Sequence, residues 1–249
     1  MLSKAQIEVT NECNFSCSGC HRNLMKRKIG FMSLDTLAHS LELCNKLNIK
    51  EIWLHNWGEP LLHPDILKIV NSTSSYGFKV GFTTNGHYLR PQLVEDLKYN
   101  GLDFLDISFG TETPPKFRDF LIYMFRYANR IGIRVSFRSV VCDLYEYDYI
   151  LSNIGNFKIK WQRQMIFDSN HIRSEKCPVI KNLFVINWDG TVVSCCQAFD
   201  NQIIYGDVYT SKDAILERIE YLYNHPTIGI CKKCVEVDYD LPIIYKLGK

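Results

Sequence analysis

The sequence has no hydrophobic stretch of the roughly 20 residues that a bilayer-spanning helix needs. Residues 1–5 lack the apolar core of a secretory signal peptide. A charge imbalance is absent too, because 29 basic and 27 acidic residues leave a net charge of +2 and are spread along the chain. These absences predict a cytoplasmic protein that does not contact membranes and is not built to bind nucleic acid, and they favour a small polar substrate.

The chain is ordinary in its hydrophobic content but rich in cysteine. Its 249 residues are 46% hydrophobic, which is enough to bury the core of one barrel with a small appendage. In a reducing compartment, the 10 cysteines are expected to be metal ligands or buried thiols rather than disulfides.

The first three cysteines have an informative spacing. Cys13, Cys17 and Cys20 form the pattern Cys-x3-Cys-x2-Cys directly after an apolar stretch at 6–10. Chance would produce about 0.02 such triplets in a chain of this cysteine content. A 4Fe-4S cluster held by three cysteines keeps one iron open for a cofactor. The alternatives are a zinc knot or three unrelated thiols.

Strand and helix patterns alternate along the first two thirds of the chain. Strands are predicted at 6–10, 51–57, 79–84, 104–109, 133–142 and 157–167, and helices at 33–48, 64–76, 90–100, 115–131 and 144–154. Six βα repeats predict a parallel sheet covered by helices, with the chemistry at the C-terminal ends of the strands. The cysteine triplet follows the first strand, as this geometry requires.

The triplet, Asn14 after its first cysteine and Gly58-Glu59-Pro60 after the second strand together resemble the radical S-adenosylmethionine (SAM) enzymes. The resemblance implies a partial (β/α)6 barrel over residues 1–168 and a 4Fe-4S cluster whose open iron is chelated by SAM. It also implies a 5′-deoxyadenosyl radical that abstracts hydrogen from the substrate, and a flavodoxin or ferredoxin-type reductant. The chain departs from the family where Gly19 replaces the usual aromatic residue.

The resemblance assigns SAM contacts to the ends of several strands. In the family, the motif that matches Gly58 and Glu59 holds the SAM amino group, although Gly-Glu-Pro by itself is an ordinary turn. Ser108 and Arg138 are candidates for the ribose and carboxylate of SAM because of their positions at strand ends. The alternatives for these two are a hydroxyl bonded to backbone and an arginine in a surface ion pair.

Five cysteines follow residue 170, and four of them, Cys177, Cys195, Cys231 and Cys234, form a second candidate ligand set. Predicted strands at 183–187 and 191–194 flank Asp189-Gly190, which indicates a hairpin that brings Cys177 and Cys195 together. Cys231 and Cys234 form a Cys-x2-Cys knuckle. Taken alone, the four predict structural zinc. After the radical SAM triplet they resemble the SPASM extension in its short twitch form, which implies a small domain over 169–249, a hairpin plus a helix, with a second, auxiliary 4Fe-4S cluster. Only the spacing from Gly190 favours Cys195 over Cys196.

Within the family, the chain most resembles a dehydrogenase that oxidises an alcohol of an aminocyclitol. The strings that support this are His55-Asn-Trp-Gly-Glu-Pro-Leu-Leu and Lys116-Phe-Arg118. In such an enzyme the radical takes the carbinol hydrogen, a base takes the hydroxyl proton and the auxiliary cluster accepts the remaining electron. By position, the substrate pocket is expected to contain Trp57, Thr83 and Gln197.

The catalytic groups are expected near the last strands of the barrel. His171 offers an imidazole that titrates near neutrality, so it is a candidate base, whereas Arg173 suits an oxyanion better. The alternative for both residues is that they lie exposed in a loop and have no catalytic role. Cys142 closes the fifth strand, where a thiol is either a hydrogen-atom donor or a buried inert group.

Three other functions fit parts of the pattern. A radical epimerase would quench the substrate radical with a thiol such as Cys142. A peptide- or nucleotide-modifying enzyme would use the same clusters, although strand one begins too near residue 1 for a preceding peptide-recognition domain. A metal-binding module without activity would not need one set of three cysteines and another set of four.

Overall fold

The computed structural model describes residues 2–17, 20–109, 113–140, 159–162, 166–167 and 176–235. Six strands run parallel in chain order: β1 (Lys4–Ile7), β2 (Glu51–Trp53), β3 (Lys79–Thr84), β4 (Phe104–Phe109), β5 (Arg134–Val140) and β6 (Ile159–Gln162). The helices that follow the first four strands are α1 (Leu34–Lys46), α2 (Ile66–Ser75), α3 (Pro91–Tyr99) and α4 (Pro115–Arg130). The α/β fold with an open, partial barrel of six parallel strands is therefore confirmed.

The C-terminal part extends the same sheet. It contains α5 (Pro178–Asn182), β8 (Leu183–Ile186), β9 (Thr191–Val193), β10 (Ile204–Asp207) and α6 (Lys212–Asn224). The strand order is β10-β9-β8-β1-β2-β3-β4-β5-β6, with β8 parallel to β1 and antiparallel to β9. The predicted hairpin is confirmed, and it joins the barrel at the edge of β1. The domain boundary at 168 stays a prediction.

The hairpin turn depends on Gly190. Its φ of 86° lies in the left-handed region, and its backbone N–H donates to the Asn187 carbonyl oxygen at 2.9 Å. Glycine adopts this conformation without steric cost. The Asp189-Gly190 signal in the sequence therefore marked the turn correctly.

Several predicted elements are longer than the observed ones. The first strand ends at Ile7 rather than at 10, and the second ends at Trp53 rather than at 57. The predicted strand 157–167 contains β6 and the separate β7 (Ile166–Phe167), which pairs antiparallel with β11 (Cys234–Val235). The predicted helix at 144–154 lies outside the described residues.

The barrel strands carry different chemistry on their two faces. Because side chains alternate along a strand, one face presents the buried apolar residues Ile7, Ile52, Val80, Phe82, Leu105, Ile107, Val135 and Phe137, which belong to the hydrophobic core. The opposite face, called the polar face here, carries Thr83, Asp106, Ser108, Ser136 and Arg138 at paired positions of β3, β4 and β5. Polar side chains are thus concentrated on one face of β3, β4 and β5, and on this face we expect the chemistry.

The helices cover the sheet. Ser33 caps the N-terminus of α1, and its hydroxyl oxygen accepts a hydrogen bond from the Thr36 backbone N–H at 3.0 Å.

Within the described ranges, each helix falls short of the length or the apolar character that spanning a membrane requires.

Candidate functional site

The cysteine loop between β1 and α1 is closed at its base by Asn11. This buried side chain donates from Nδ2 to the Lys28 carbonyl at 2.9 Å, and its Oδ1 accepts from the Gly30 N–H at 2.9 Å. Thr10 Oγ1 donates to the Gly30 carbonyl at 2.7 Å. These bonds fix both ends of the loop, so Cys13, Cys17 and Cys20 stay next to the C-terminal end of β1.

The three cysteines of this loop differ in exposure. Cys13 and Cys20 are half-buried and Cys17 is exposed. The sulfur of Cys13 accepts hydrogen bonds from the Phe15 backbone N–H at 3.4 Å and from Asn85 Nδ2 at 3.9 Å. Burial raises the pKa of the Cys13 thiol, and the Phe15 hydrogen bond opposes that shift. N–H groups directed at a sulfur suit a metal-bound thiolate.

The donor set fits an iron–sulfur cluster. None of the nine described cysteines forms a disulfide, and thiolate sulfur is the usual ligand of such clusters. In the described part of the chain, no three His, Cys, Asp or Glu side chains stand close enough together to hold a metal ion as they are. Cys13, Cys17 and Cys20 are the residues that would hold the first cluster.

Gly58 lets the loop after β2 approach the cysteine loop. Its φ is 125°, and a Cβ at this position would lie 2.5 Å from the Thr10 carbonyl oxygen and 2.8 Å from the Glu12 carbonyl oxygen. Contacts this short do not occur with a real Cβ, so only glycine fits. The next residue, Glu59, donates its backbone N–H to the Glu12 carbonyl at 2.7 Å.

The Glu59 carboxylate is buried between the ends of β2 and β3. Its Oε1 accepts from Thr84 Oγ1 at 2.7 Å and from the Leu61 N–H at 3.1 Å, and its Oε2 accepts from the Asn85 N–H at 2.7 Å. Burial raises the pKa of Glu59 to about 7, and these hydrogen bonds oppose the shift. A carboxylate has about four acceptor positions, so one remains for an ammonium group.

Ser108 and Arg138 are neighbours in register on the polar face. Arg138 Nη2 lies 3.0 Å from Asp106 Oδ2, and the Asp106 side chain is 2% exposed. Ser136 Oγ donates to the other oxygen of the same carboxylate. Arg138 therefore belongs to an interior ion pair rather than to the surface pair that was the alternative. Contact of either residue with SAM stays a prediction.

Thr83 on β3 is bonded to His55, which the sequence analysis did not single out as a site residue. The His55 ring accepts from the Thr83 N–H at its Nδ1, at 3.1 Å, and its Nε2 lies 3.2 Å from Thr83 Oγ1. Because Nδ1 accepts, a neutral ring carries its proton on Nε2 and donates to the hydroxyl. The signal in the sequence was the position of His55 near the end of the strand predicted at 51–57.

Trp57 and Gln197, two predicted pocket residues, both lie close to the His21 ring. Trp57 Nε1 donates to the Cys196 carbonyl at 2.8 Å. The ring of His21 lies 5.8 Å from the Trp57 ring and 5.2 Å from the Phe199 ring, between centroids. Partial burial lowers the pKa of His21, and a hydrogen bond with Gln197 opposes this. His21 and Phe199 were not predicted as pocket residues.

Three of the four predicted auxiliary ligands are close enough to interact electrostatically, because Cys177 and Cys231 both act on Cys195. Cys177 precedes α5, Cys195 follows β9, and Cys231 lies in the short 3-10 helix Gly229–Lys233. Desolvation of its sulfur raises the pKa of Cys195 well above the usual value, and the negative charges of Cys196, Cys231 and Cys177 add to the shift. Cys234 opens β11. The convergence of thiolates fits a second cluster, and the choice between Cys195 and Cys196 stays a prediction from spacing.

A buried ion pair joins both cysteine sets to the barrel. Arg27 Nη1 and Nη2 bond to the two carboxylate oxygens of Glu8 at 2.6 and 2.5 Å, and the two side chains are 8% and 0% exposed. Glu8 also accepts from the Trp57 backbone N–H at 3.2 Å. Arg27 Nε donates to the Phe199 carbonyl at 2.7 Å, and its backbone N–H donates to Asp200 Oδ1 at 2.8 Å. The only hint in the sequence is an acidic residue inside the apolar stretch at 6–10.

The three predicted catalytic residues, Cys142, His171 and Arg173, lie outside the described residues. Their roles therefore stay predictions.

Comparison with known proteins identifies the family. The sequence profile of the Radical SAM superfamily matches residues 7–141, more than half of the chain, and that of the SPASM iron-sulfur cluster-binding domain matches residues 177–235. The chain belongs to the Radical SAM superfamily. Its cofactors are accordingly SAM, a 4Fe-4S cluster that binds it, and an auxiliary iron–sulfur cluster.

Individual relatives match only part of the chain. The chain is 37% identical over 118 residues to the probable GTP 3′,8-cyclase of Methanothermobacter marburgensis, a match that covers 47% of this chain and 38% of that protein. The chain thus spans well under half the length of this curated relative.

Among solved structures, BtrN in complex with AdoMet and 2-DOIA superposes with a TM-score of 0.69 at 22% identity, covering 98% of this chain and 97% of BtrN. Streptococcus suis SuiB bound to precursor peptide SuiA gives a TM-score of 0.61 at 15% identity, covering 90% and 65%. At these identities the likeness is one of fold.

Replacing Gly58 with alanine is expected to reduce iron binding by the first cysteine set. Gly77→Ala is the matched control, because Gly77 also has a positive φ, 88°, but a Cβ there meets nothing within 4 Å. Both variants carry the left-handed strain of about 1–2 kcal/mol, and only Gly58→Ala adds the clash. After reconstitution, we expect about 8 Fe per chain in wild type and Gly77→Ala, and about half of that in Gly58→Ala. Equal iron in the two variants would contradict this account of Gly58.

Replacing Glu59 with glutamine is expected to change how stability depends on pH. Because the folded pKa of about 7 exceeds the ordinary value of 4.5, the folded state binds more protons between these pH values, so stability falls as pH rises through them. Glutamine removes this loss. In cluster-free protein, the unfolding free energy of Glu59→Gln minus that of wild type should rise by about 3 kcal/mol between about pH 4.5 and 8. A difference that is independent of pH would refute the raised pKa.

Proposed function

We propose that this protein is a radical SAM dehydrogenase that oxidises a carbinol of a small polar molecule, such as a sugar or an aminocyclitol. The sequence motifs resemble those of 2-deoxy-scyllo-inosamine dehydrogenase, and the likeness to BtrN over nearly the full length of both chains supports this proposal. A flavodoxin or ferredoxin-type protein would supply the reducing electron.

The observation that carries this proposal is the hydrogen bond between Trp57 Nε1 and the Cys196 carbonyl, at 2.8 Å. Trp57 precedes Gly58 and Glu59, the proposed SAM-binding pair, and Cys196 follows a proposed auxiliary ligand. One hydrogen bond therefore connects the wall of the proposed SAM site with the auxiliary site. Such a connection suits an oxidation, in which an electron must leave the substrate after its hydrogen atom has been removed.

When bound, the first cluster and SAM supply hydrogen abstraction and the auxiliary cluster supplies an electron acceptor. The protein's own residues position the reactants. Glu59 would hold the SAM ammonium group. Ser108 and Arg138, which lie on the polar face, would contact the ribose and the carboxylate of SAM. Trp57, His21 and Phe199 form an aromatic wall that excludes water from the substrate. The proposed base, His171, would take the hydroxyl proton.

The matches to a probable GTP 3′,8-cyclase keep nucleotide chemistry as an alternative. That similarity covers 47% of this chain and 38% of the cyclase, whereas the likeness to BtrN covers 98% of this chain and 97% of BtrN. Together with the auxiliary site and its link to Trp57, this difference in coverage is why we place oxidation first.

Replacing Cys177 with alanine is expected to separate SAM cleavage from product formation. Oxidation removes two electrons from the substrate, so loss of an auxiliary ligand should reduce carbonyl product at least tenfold while 5′-deoxyadenosine still forms. Cys44→Ala is the matched control, because Cys44 is fully buried on α1 and belongs to neither cysteine set. The two products are measured by mass spectrometry under anaerobic reduction.

An epimerase would give the opposite result. Its product would contain one carbon-bound deuterium from deuterated water, delivered by an exchangeable thiol such as Cys142, and no carbonyl compound would form. That outcome would replace the dehydrogenase proposal.

A further inference from the structure

The hydroxyl group of Tyr205 is buried, and in the described part of the chain no hydrogen-bond partner reaches it. The residue as a whole is 3% exposed. A buried hydroxyl without a partner costs about 1–3 kcal/mol. Most such groups in native proteins are satisfied, and an exception often marks a bound group that the protein contacts.

A β-bulge sets the direction of this side chain. On β10, Ile204 pairs with Val193 and Gly206 pairs with Val192, so Tyr205 is the extra residue between two consecutive partners on β9. A bulge redirects the side chain of its extra residue. On the other side, the Arg218 guanidinium donates to the Tyr205 carbonyl and anchors the bulge to α6.

The Tyr205 hydroxyl lies within electrostatic range of three auxiliary cysteines. The negative charges of Cys195, Cys231 and Cys177 all act on it, and together with the dominant effect of burial they raise the pKa of Tyr205. Its bulge lies opposite Val193, two residues before Cys195. A phenol is protonated at neutral pH and can donate one hydrogen bond, and sulfur in a cluster is an acceptor.

We propose that Tyr205 donates a hydrogen bond to a sulfur of the auxiliary cluster and thereby raises the reduction potential of that cluster. The hydrogen bond stabilises the reduced cluster more than the oxidised one, because reduction adds negative charge to the sulfurs. This inference rests on the auxiliary cluster, and it deepens the proposed function because a higher potential favours acceptance of an electron from the substrate.

The test is the potential of the auxiliary cluster in Tyr205→Phe, which removes only the hydroxyl. Tyr209→Phe is the matched control, since Tyr209 lies just after β10 and is 68% exposed. Both are made in a background with Cys13, Cys17 and Cys20 replaced by alanine, so that a single cluster is titrated and followed by electron paramagnetic resonance. Tyr205→Phe should keep its iron and shift the potential to more negative values, whereas Tyr209→Phe should leave it unchanged.

A second readout identifies the hydrogen bond itself. In deuterated water, pulsed electron paramagnetic resonance of the reduced auxiliary cluster should detect an exchangeable deuteron in the wild type. This deuteron should be absent from Tyr205→Phe. If the triple-alanine background does not hold its cluster, the same spectra are taken on the intact protein, where added SAM perturbs only the first cluster.

An unchanged potential in Tyr205→Phe would overturn the proposal. Loss of auxiliary iron in this variant would do so too, because it would assign Tyr205 a packing role. Both readouts use resting protein without substrate, so a failure of the dehydrogenase proposal would leave them unaffected.

Discussion

The buried ion pair between Glu8 and Arg27 is the interaction on which the arrangement of the site depends. Glu8 follows β1, and its backbone N–H donates to the Ile186 carbonyl of the hairpin at 2.8 Å. Two charges in an apolar interior are tolerated only when they are paired and hydrogen-bonded, and removing one partner typically costs about 3–5 kcal/mol. Here the pair is bidentate, and its remaining bonds reach the Trp57 loop and Phe199. One interaction thus connects three loops.

This connection explains how two distant stretches of sequence form one site. The hairpin pairs with β1, which brings the auxiliary cysteines to the edge of the barrel that carries the first set. At the tip of the hairpin, the Trp188 ring occupies the space where Gly30 would have a side chain, since a Cβ there would lie 2.5 Å from the ring. The two proposed cluster sites are therefore parts of one continuous structure.

Local signals in the sequence predicted much of this. The bounds of β3 and β4 are those expected, and the Asp189-Gly190 turn was correct, because each depends on neighbouring residues. The pairing of β8 with β1, the Glu8–Arg27 pair and the bulge at Tyr205 could not be predicted, because each depends on contacts that no sequence period encodes. Strand one was predicted at 6–10 because the apolar stretch continues to Val9, whereas the observed strand is Lys4–Ile7. After it, the Glu8 and Thr10 side chains bond to Arg27 and to the Gly30 carbonyl, contacts that a local pattern does not encode.

The central claim, that one ion pair holds both proposed cluster sites, is tested most directly by hydrogen exchange of Arg27→Met followed by mass spectrometry. The account predicts faster exchange in three separate segments, 10–31, 56–59 and 195–200. Lys68→Met is the control, because the pair of Lys68 with Asp65 is exposed and local, and it should change none of these segments. Faster exchange confined to the residues around 27 would contradict the claim.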